Sequence, residues 1–242
     1  MARKGKMISN EINSEYLNET LTVKLYIPES LSVFEKFYLC IMLDGDDYYQ
    51  LGRAATLSDR LHESGDITNV ILAGVHYKNR HDRWDKYHPE GEKYDSFLKF
   101  LRFEVTDVLT QVLPSEHVEY ERILIGDSLA GTASLLTAVK YPNAFQKVVM
   151  QSPYVDEHVL KIVNEANDEL IGKTIYHTIG KDETLVKMVS GLEEDFLSPN
   201  RSLNEVLKEK VNDYFYDELD GQHTWKQWQK DLPNVFKHIF ND

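Results

Sequence analysis

A serine in a glycine-bounded segment is the first residue of this chain whose surroundings suit catalysis. Ser128 lies in Gly-Asp-Ser-Leu-Ala-Gly, residues 126–131, directly after residues 122–125, which are typical of a short strand. A serine hydroxyl becomes a good nucleophile when a base takes its proton and a sharp turn from strand to helix holds it clear of its neighbours. The small residues of this segment permit that turn, so we predict that Ser128 is a nucleophile. The alternative is that Ser128 merely caps the following helix.

A histidine that suits the role of base follows much later in the chain. Four histidines come after Ser128, at positions 158, 177, 223 and 238. The pattern predicts His177 inside a strand, where its ring packs or pairs locally, and the first and last of the four in helices. Only His223 falls in a loop directly after a strand, so we predict that it is the base. The alternative is a surface histidine that caps the C-terminal helix.

A nucleophilic serine and its histidine base commonly work with a third residue, a carboxylate that orients the histidine, and the three form a catalytic triad. In one known arrangement the acid lies between the serine and the histidine in the chain. Residues 180–183, Gly-Lys-Asp-Glu, follow a strand predicted over 174–179. Asp182 is favoured over Glu183 because it lies nearer the end of the strand, although an aspartate in a turn is also common for structural reasons. The remaining candidates are Asp156, Asp217 and Asp220.

Two backbone amides are predicted to bind the oxyanion that forms when a serine attacks a carbonyl group. One is the N–H of Leu129, which follows the serine at the start of a helix. The other is the N–H of Asp46, in Asp-Gly-Asp-Asp after the third predicted strand, where Gly45 permits the required turn. The same segment resembles the start of a calcium-binding loop, but the remaining spacing and the terminal glutamate of an EF-hand are missing. The chemistry requires no metal and no organic cofactor.

Alternating strands and helices place these residues at strand ends. Strands are predicted over residues 7–13, 19–27, 37–43, 69–75, 122–125, 147–151, 174–179 and 211–216. Helices are predicted over 51–64, after Ser128 up to Lys140, and over 224–240. A further helix, which ends at Pro114, is predicted from an apolar face that runs from Phe97 to Val112 and includes Val108 and Leu109.

This order predicts an α/β fold with a mostly parallel central sheet, helices on both faces and antiparallel strands at the N-terminus. A polar and aromatic loop is predicted over residues 76–94, and Pro233 is expected to kink or restart the last helix. Ligands of such sheets bind beyond the carboxyl ends of the strands, which is where the candidate residues fall.

Composition limits the partners of the chain. It has 242 residues, enough for one sizeable core, so we predict one domain over residues 1–242. Its 27 Lys and Arg against 40 Asp and Glu give a net charge of −13, which disfavours binding to nucleic acid and to anionic membranes. No apolar core of a signal peptide follows the basic first residues, and the single cysteine, Cys40, lies in an apolar run, typical of a buried thiol. We therefore expect a cytoplasmic protein.

Several segments together resemble the Putative esterase family, which includes enterochelin (siderophore) esterases and S-formylglutathione hydrolases. They are residues 43–46, 126–131, 180–182 and 221–225, with a further arginine-containing segment at 80–89. The resemblance spans about residues 7–240 and implies the α/β-hydrolase fold, a triad of Ser128, Asp182 and His223, and an oxyanion hole formed by Asp46 and Leu129. Family members usually show Gly-x-Ser-x-Gly-Gly, whereas residue 130 is alanine here. One methyl group still permits close approach, so we expect activity to be retained.

Residues 76–84 concentrate cations and aromatic rings in an otherwise acidic chain. Arg80, Arg83 and Trp84 are therefore candidates for binding a carboxylate or a catecholate ring, together with Trp225 beside the predicted base. The alternative is a solvated loop held by salt bridges, with both tryptophans packing loops.

The sequence predicts a serine carboxylic-ester hydrolase that forms an acyl-enzyme with a small-molecule ester. The alternatives are a siderophore triester esterase, a thioesterase such as S-formylglutathione hydrolase, an acyltransferase, and a ligand-binding protein that kept the fold and lost catalysis. Neither Cys40 nor the acidic segment 44–47 indicates glutathione recognition. A binding protein that had lost catalysis would be expected to lack at least one triad residue. The natural ester, the acyl length, a lid over residues 76–94 and assembly into a homo-oligomer stay open at this stage.

Overall fold

A computed structural model of the chain describes residues 3–29, 31–32, 36–106, 120–188 and 191–241. The predicted helical positions Val108, Leu109 and Val112, and the predicted helix end at Pro114, lie outside the described residues. The predicted fold class is confirmed: the described chain forms a mostly parallel sheet covered by helices on both faces.

Eight strands of the described chain form one sheet in the order β1-β2-β4-β3-β5-β6-β7-β10. The contacts of β2 with β1 and with β4 are antiparallel, and every other pair of neighbours is parallel. A separate antiparallel pair, β8 with β9, follows β7. The strands are β1 (Lys6–Ser14), β2 (Glu19–Ile27), β3 (Phe37–Leu43), β4 (Val70–Val75), β5 (Tyr120–Asp127), β6 (Lys147–Gln151), β7 (Thr174–Gly180), β8 (Val186–Lys187), β9 (Glu193–Glu194) and β10 (Asp213–Leu219).

Helices connect most of these strands. They are α1 (Gly45–Gln50), α2 (Ala54–Ser64), α3 (Arg80–Tyr87), α4 (Tyr94–Lys99), α5 (Leu129–Lys140), α6 (Glu157–Glu165), α7 (Leu197–Lys210) and α8 (Trp225–Ile239). A π-helical turn, Phe100–Glu104, continues α4, and a 3₁₀ turn, Asp168–Leu170, precedes β7. None of the helices in the described ranges has both the length and the apolar run needed to cross a membrane.

The buried strand β3 shows how the sheet acquires a core on each face. Successive side chains of a strand point to opposite faces. Leu39 and Ile41 therefore pack into one core layer with the helix α5, whereas Cys40 and Met42 pack into the other with α2 and α8. Every residue of β3 is buried, in agreement with the predicted buried thiol, and burial raises the pKa of Cys40.

Several local predictions differ from the structure, among them the helix predicted over residues 51–64, which begins at Ala54. The predicted loop over residues 76–94 contains the helix α3, because the Asn79 side chain caps it by accepting hydrogen bonds from the amides of His81 and Asp82, both at 3.0 Å. The last helix does not restart at Pro233; α8 runs through it, since its apolar face, which includes Leu232 and Phe236, is buried against the sheet. The last strand lies at Asp213–Leu219 rather than at residues 211–216.

Candidate active site

Ser128 lies on a sharp turn between β5 and α5. Its backbone has φ 52° and ψ −129°, a conformation that L-residues other than glycine adopt only under strain. The turn is tight enough that a Cβ atom at Gly126 would come within 2.3 Å of the Ala130 backbone. A hydrogen bond of 2.9 Å from the Ser128 amide to the Gln151 carbonyl oxygen holds the turn against β6. The buried Ala130 fits this turn, so its methyl group does not prevent the close approach.

His223 joins the serine to a buried carboxylate. The Ser128 hydroxyl lies 3.0 Å from Nε2 of the histidine, and Nδ1 lies 2.6 Å from Oε2 of Glu183. These contacts correspond to the tautomer in which Nδ1–H donates to the carboxylate and Nε2 accepts from the serine. The rings of Phe196 and Trp228 lie 4.6 and 4.9 Å from the imidazole, centroid to centroid, and hold its orientation.

The structure corrects the choice of acid. Asp182 is exposed, whereas Glu183 is completely buried and forms the contact with His223. The physical reason is a tight turn after β7, in which the Glu183 amide donates to the carbonyl oxygen of Gly180 at 3.1 Å and the glutamate side chain folds back under the histidine. Two of the other candidates have structural roles: Asp156 caps α6 and Asp220 pairs with a lysine.

A second set of hydrogen bonds fixes the carboxylate of Glu183. Its Oε1 atom accepts from the Ser152 hydroxyl at 2.6 Å and from the Gly180 amide at 2.8 Å. The Ser152 oxygen in turn accepts from the indole Nε1 of Trp228 at 2.9 Å. Both carboxylate oxygens of a fully buried glutamate are therefore paired, which is required of a charge removed from water.

Sequence analysis ranked Glu183 below Asp182, and it did not identify Ser152, Phe196 or Trp228 as site residues. Ser152 had a recognisable signal, because it directly follows β6 at the same sheet edge as the other site residues. Trp228 lies three residues after Trp225, on the same helical face. Phe196 carried no local signal, since it approaches the histidine only through the long connection between β7 and α7.

The two predicted oxyanion residues lie at helix starts. Leu129 is the first residue of α5, and Asp46 is the second residue of α1. Amides in the first turn of a helix have no acceptor within the helix, so they remain available to a ligand. The helices follow β5 and β3, which are parallel neighbours in the sheet. The Asp46 carboxylate contacts Lys24 at 2.6 Å.

Arg83 is held by protein groups. Its Nε and Nη2 atoms donate to Oδ2 of the buried Asp44 at 2.8 and 2.6 Å, and Nη2 lies 3.5 Å from the carbonyl oxygen of Asp127. Burial alone would lower the pKa of Arg83, but the Asp44 carboxylate holds it above its usual value. The charge of Arg83 is therefore already paired within the protein, and its role in binding substrate stays a prediction. Arg83 also ties the segment after β3 to the residue before the serine.

The other predicted substrate residues are spread around the site. Arg80 is exposed at the start of α3, and its side chain makes no hydrogen bond or ion pair with a described residue. Trp84, 41 % exposed, stacks on His88 at 3.8 Å between ring centroids. Trp225 packs edge-on against Tyr48 at 4.8 Å and against Trp228 at 5.5 Å, so it lies one ring away from the histidine.

A small acidic pocket of about 150 Å³ lies beside the segment that carries Asp46. Burial, and then the neighbouring carboxylates led by Asp44, raise the pKa of Asp47, whereas burial lowers the pKa of His76. Within the described ranges, no three His, Cys, Asp or Glu side chains converge in a way that could hold a metal ion. The pocket is lined by Asp44, Asp46, Asp47, His76 and Tyr77.

His177 lies apart from this chemistry. Its Nδ1 and Nε2 atoms lie 2.8 Å from the Tyr214 hydroxyl and 2.7 Å from Oδ1 of Asn200, so the predicted local pairing within a strand is confirmed. Burial lowers its pKa to about 4, against an ordinary value of 6.5. The ring is therefore a neutral core group.

Comparisons with known proteins concern the family and the fold of the chain. A family model described as "Putative esterase" matches residues 14–239. The chain is 39 % identical over 237 residues to the "Uncharacterized protein YjcH" of Bacillus subtilis (strain 168), with 98 % of each chain covered. A solved ferulic acid esterase superposes with a TM-score of 0.78 at 17 % identity, covering 99 % of this chain and 98 % of the other. An enterobactin esterase of Shigella flexneri superposes with a TM-score of 0.81 at 17 % identity, covering 99 % of this chain but 61 % of that one. At these identities the structural similarities establish the fold alone.

Proposed function

Because the chain belongs to the Putative esterase family and is a carboxylic ester hydrolase, we propose that it cleaves a small ester through Ser128, His223 and Glu183. The observation that carries the proposal is the position of His223, which bridges the serine hydroxyl at 3.0 Å and the buried carboxylate at 2.6 Å. An imidazole oriented in this way can take the proton of Ser128 while the carboxylate of Glu183 stabilises the resulting imidazolium.

The reaction follows from these contacts. Ser128 Oγ attacks the ester carbonyl carbon while Nε2 of His223 takes the hydroxyl proton. The tetrahedral intermediate collapses, the C–O bond to the alcohol breaks, and Nε2 returns the proton to the departing alkoxide oxygen. A water molecule then attacks the acyl-enzyme with the same histidine as base, which releases the acid and restores Ser128. Glu183 keeps Nδ1 protonated and stabilises the imidazolium at both steps.

The amides of Leu129 and Asp46 are the proposed oxyanion hole. Both belong to first turns of helices, where backbone N–H groups have no partner within the helix and the helix end favours negative charge. Arg83 supports this arrangement indirectly, since it links Asp44 to the carbonyl oxygen of Asp127 and so connects the two segments that carry the donors. In other enzymes, removal of one oxyanion-hole donor lowers turnover by about 10²- to 10³-fold.

The acidic pocket favours substrates without a negative charge near the scissile bond. Asp44, Asp46 and Asp47 line it; Arg83 pairs with Asp44 and Lys24 with Asp46, whereas Asp47 forms no ion pair with a described residue. Because Arg83 is paired with Asp44 and Arg80 is exposed, the predicted substrate-binding residues include no buried cation that lacks a partner among the described side chains. We therefore expect 4-nitrophenyl acetate to be hydrolysed faster than the hemisuccinate ester of the same alcohol. A preference for the hemisuccinate would contradict this part of the proposal.

The proposal is tested by hydrolysis of short-chain 4-nitrophenyl esters by the wild type and Ser128→Ala. Removal of a triad nucleophile is expected to lower turnover by at least about 10⁴-fold. A fluorophosphonate should also add its mass to Ser128 in the wild type and not in the variant. Equal activity of the two proteins would refute Ser128 as nucleophile. A wild type that neither turns over an ester panel nor accepts the fluorophosphonate would favour a non-catalytic binding protein.

A further inference from the structure

A cleft between α2 and α8 has a composition unlike the rest of the chain. Its volume is about 500 Å³, within the range of small-molecule sites. Five of its residues come from α2 and the two residues before it, and three come from α8. The lining residues are Gly52, Arg53, Thr56, Leu57, Arg60, Gln229, Lys230 and Pro233, and we call this the α2–α8 cleft.

The charge of the α2–α8 cleft is opposite to that of the chain. Arg53, Arg60 and Lys230 line it, and none of its eight residues is acidic. The chain as a whole carries a net charge of −13. None of the three cations forms an ion pair or a side-chain hydrogen bond with a described residue, although 40 acidic residues were available for pairing. Three unpaired cations around one concavity in an acidic protein indicate a place for an anionic ligand.

The start of α2 adds a further source of positive potential. Arg53 caps this helix without any side-chain hydrogen bond to the first-turn amides, and the first turn contains no acidic residue. Neither the cap residue nor an acidic residue of the first turn therefore offsets the partial positive charge of this helix N-terminus. Arg53 also has φ 54°, a left-handed conformation in which glycine would be less strained.

The walls of the cleft are firmly built. Gln229 Nε2 donates to the carbonyl oxygen of Leu51 at 2.6 Å, which ties α8 to the segment before α2. A Cβ atom at Gly52 would come within 2.6 Å of the Tyr48 carbonyl oxygen and 3.0 Å of the Trp225 ring, so the backbone packs directly against α8 at this point. The three cations are thus presented from fixed elements of the fold.

We propose that the α2–α8 cleft binds a small, multiply charged anion of the phosphate class. Arginine guanidinium groups match phosphate oxygens through paired N–H donors, and a helix N-terminus supplies backbone amides to the same kind of ligand. Thr56, in the first turn of α2, adds a hydroxyl donor to the lining. An anion with two or more negative charges matches three cations better than a monoanion does. This favours a diphosphate or a phosphorylated metabolite over a monocarboxylate.

The test is isothermal titration of the intact protein with inorganic pyrophosphate. We expect saturable binding with one site per chain, weakened about tenfold or more in Arg60→Ala and Lys230→Ala, the loss of one charge-assisted hydrogen bond. Arg53→Gly should weaken binding equally while relieving the left-handed strain, so its effect cannot come from a damaged fold. Lys226→Ala is the matched control, since this exposed lysine lies on the same helix and does not line the cleft.

Three outcomes would overturn the proposal. They are the absence of saturation by pyrophosphate at millimolar concentrations, an equal loss of affinity in the Lys226→Ala control, and equal affinity for citrate, which would assign the cleft to anions in general. Binding is the readout, so the result is independent of whether Ser128 is the nucleophile. Thermal unfolding of each variant verifies that it is folded.

Discussion

Replacement of Glu183 by glutamine separates the two candidate acids. Oε1 of this residue accepts hydrogen bonds from Ser152 and from the Gly180 amide, so the carboxamide oxygen of the variant must stay at that position. Its NH₂ group then faces Nδ1 of His223, where the carboxylate oxygen lies in the wild type at 2.6 Å. A donor at this point forces the tautomer with hydrogen on Nε2, which cannot accept the proton of Ser128.

The magnitude follows from the lost charge and the wrong tautomer. Two unit charges about 4 Å apart attract by about 4 kcal/mol at an effective dielectric constant near 20. That energy is about 10³-fold in rate, and the unproductive tautomer adds to it. Comparable substitutions in other triads cost about 10⁴-fold. We therefore expect Glu183→Gln to lower kcat on 4-nitrophenyl acetate by about 10³- to 10⁴-fold.

Asp182→Asn provides the matched control, since it makes the same chemical change at the adjacent, exposed residue. Its kcat should stay within about twofold of the wild type, as is usual for an exposed position without special contacts. Circular dichroism and thermal unfolding verify that both variants are folded. If Asp182→Asn lost the activity and Glu183→Gln kept more than about a tenth of it, the assignment of the acid would be refuted.

Three further predictions concern residues around the site and in the core. Ser152→Ala removes one of two donors to Oε1 of Glu183, so kcat should fall about tenfold with little change in KM, measured on 4-nitrophenyl acetate. Burial, and then the charge of Asp44, raise the pKa of Asp127 well above its usual range. The stability that this shift contributes is present at low pH and is lost as pH rises through the folded-state pKa, so Asp127→Asn should unfold at higher urea than the wild type at alkaline pH, with a smaller difference near pH 4. For His177, whose pKa is about 4 when folded and 6.5 ordinarily, stability is present above 6.5 and lost as pH falls, by about 2 kcal/mol between pH 7.5 and pH 5, and His177→Gln should remove that slope.

Each of these predictions has an outcome that contradicts it. A large KM effect of Ser152→Ala with unchanged kcat would place the serine hydroxyl against substrate; Ser202→Ala, an exposed serine of α7, is the control. An Asp127→Asn variant that is less stable than the wild type at alkaline pH would mean that the charged carboxylate is the stabilising form. An unchanged pH dependence of unfolding in His177→Gln would assign the acid sensitivity to other groups.

The order of elements and most of the site could be predicted because both depend on local patterns. Fully apolar runs such as Phe37–Leu43 predict central strands, and the position of Ser128 between a strand and a helix predicts the turn that the structure contains. Chain order and loop position were enough to select His223 from four histidines. These signals work because parallel strands bring residues from their carboxyl ends to one edge of the sheet.

The acid could not be chosen correctly from the sequence because its identity depends on the path of residues 180–183, at the end of β7. Distance from the strand end favoured Asp182, but the hydrogen bond from the Glu183 amide to Gly180 turns the chain so that Asp182 faces solvent. The longer glutamate side chain then reaches back to the histidine. The helix α3 was missed for a similar reason, since its polar sequence has no apolar period and its formation depends on the cap at Asn79.

The pairing of Arg83 with Asp44 changes how the acidic segment after β3 is interpreted. Three acidic residues near a proposed oxyanion hole would by themselves oppose the negative charge that develops there. The arginine places one positive charge against Asp44, and Lys24 places another against Asp46, so that two of the three carboxylates are compensated within the protein. Among the cations of residues 76–84, Arg83 therefore has a structural role, because it offsets the charge of Asp44 beside the proposed oxyanion hole.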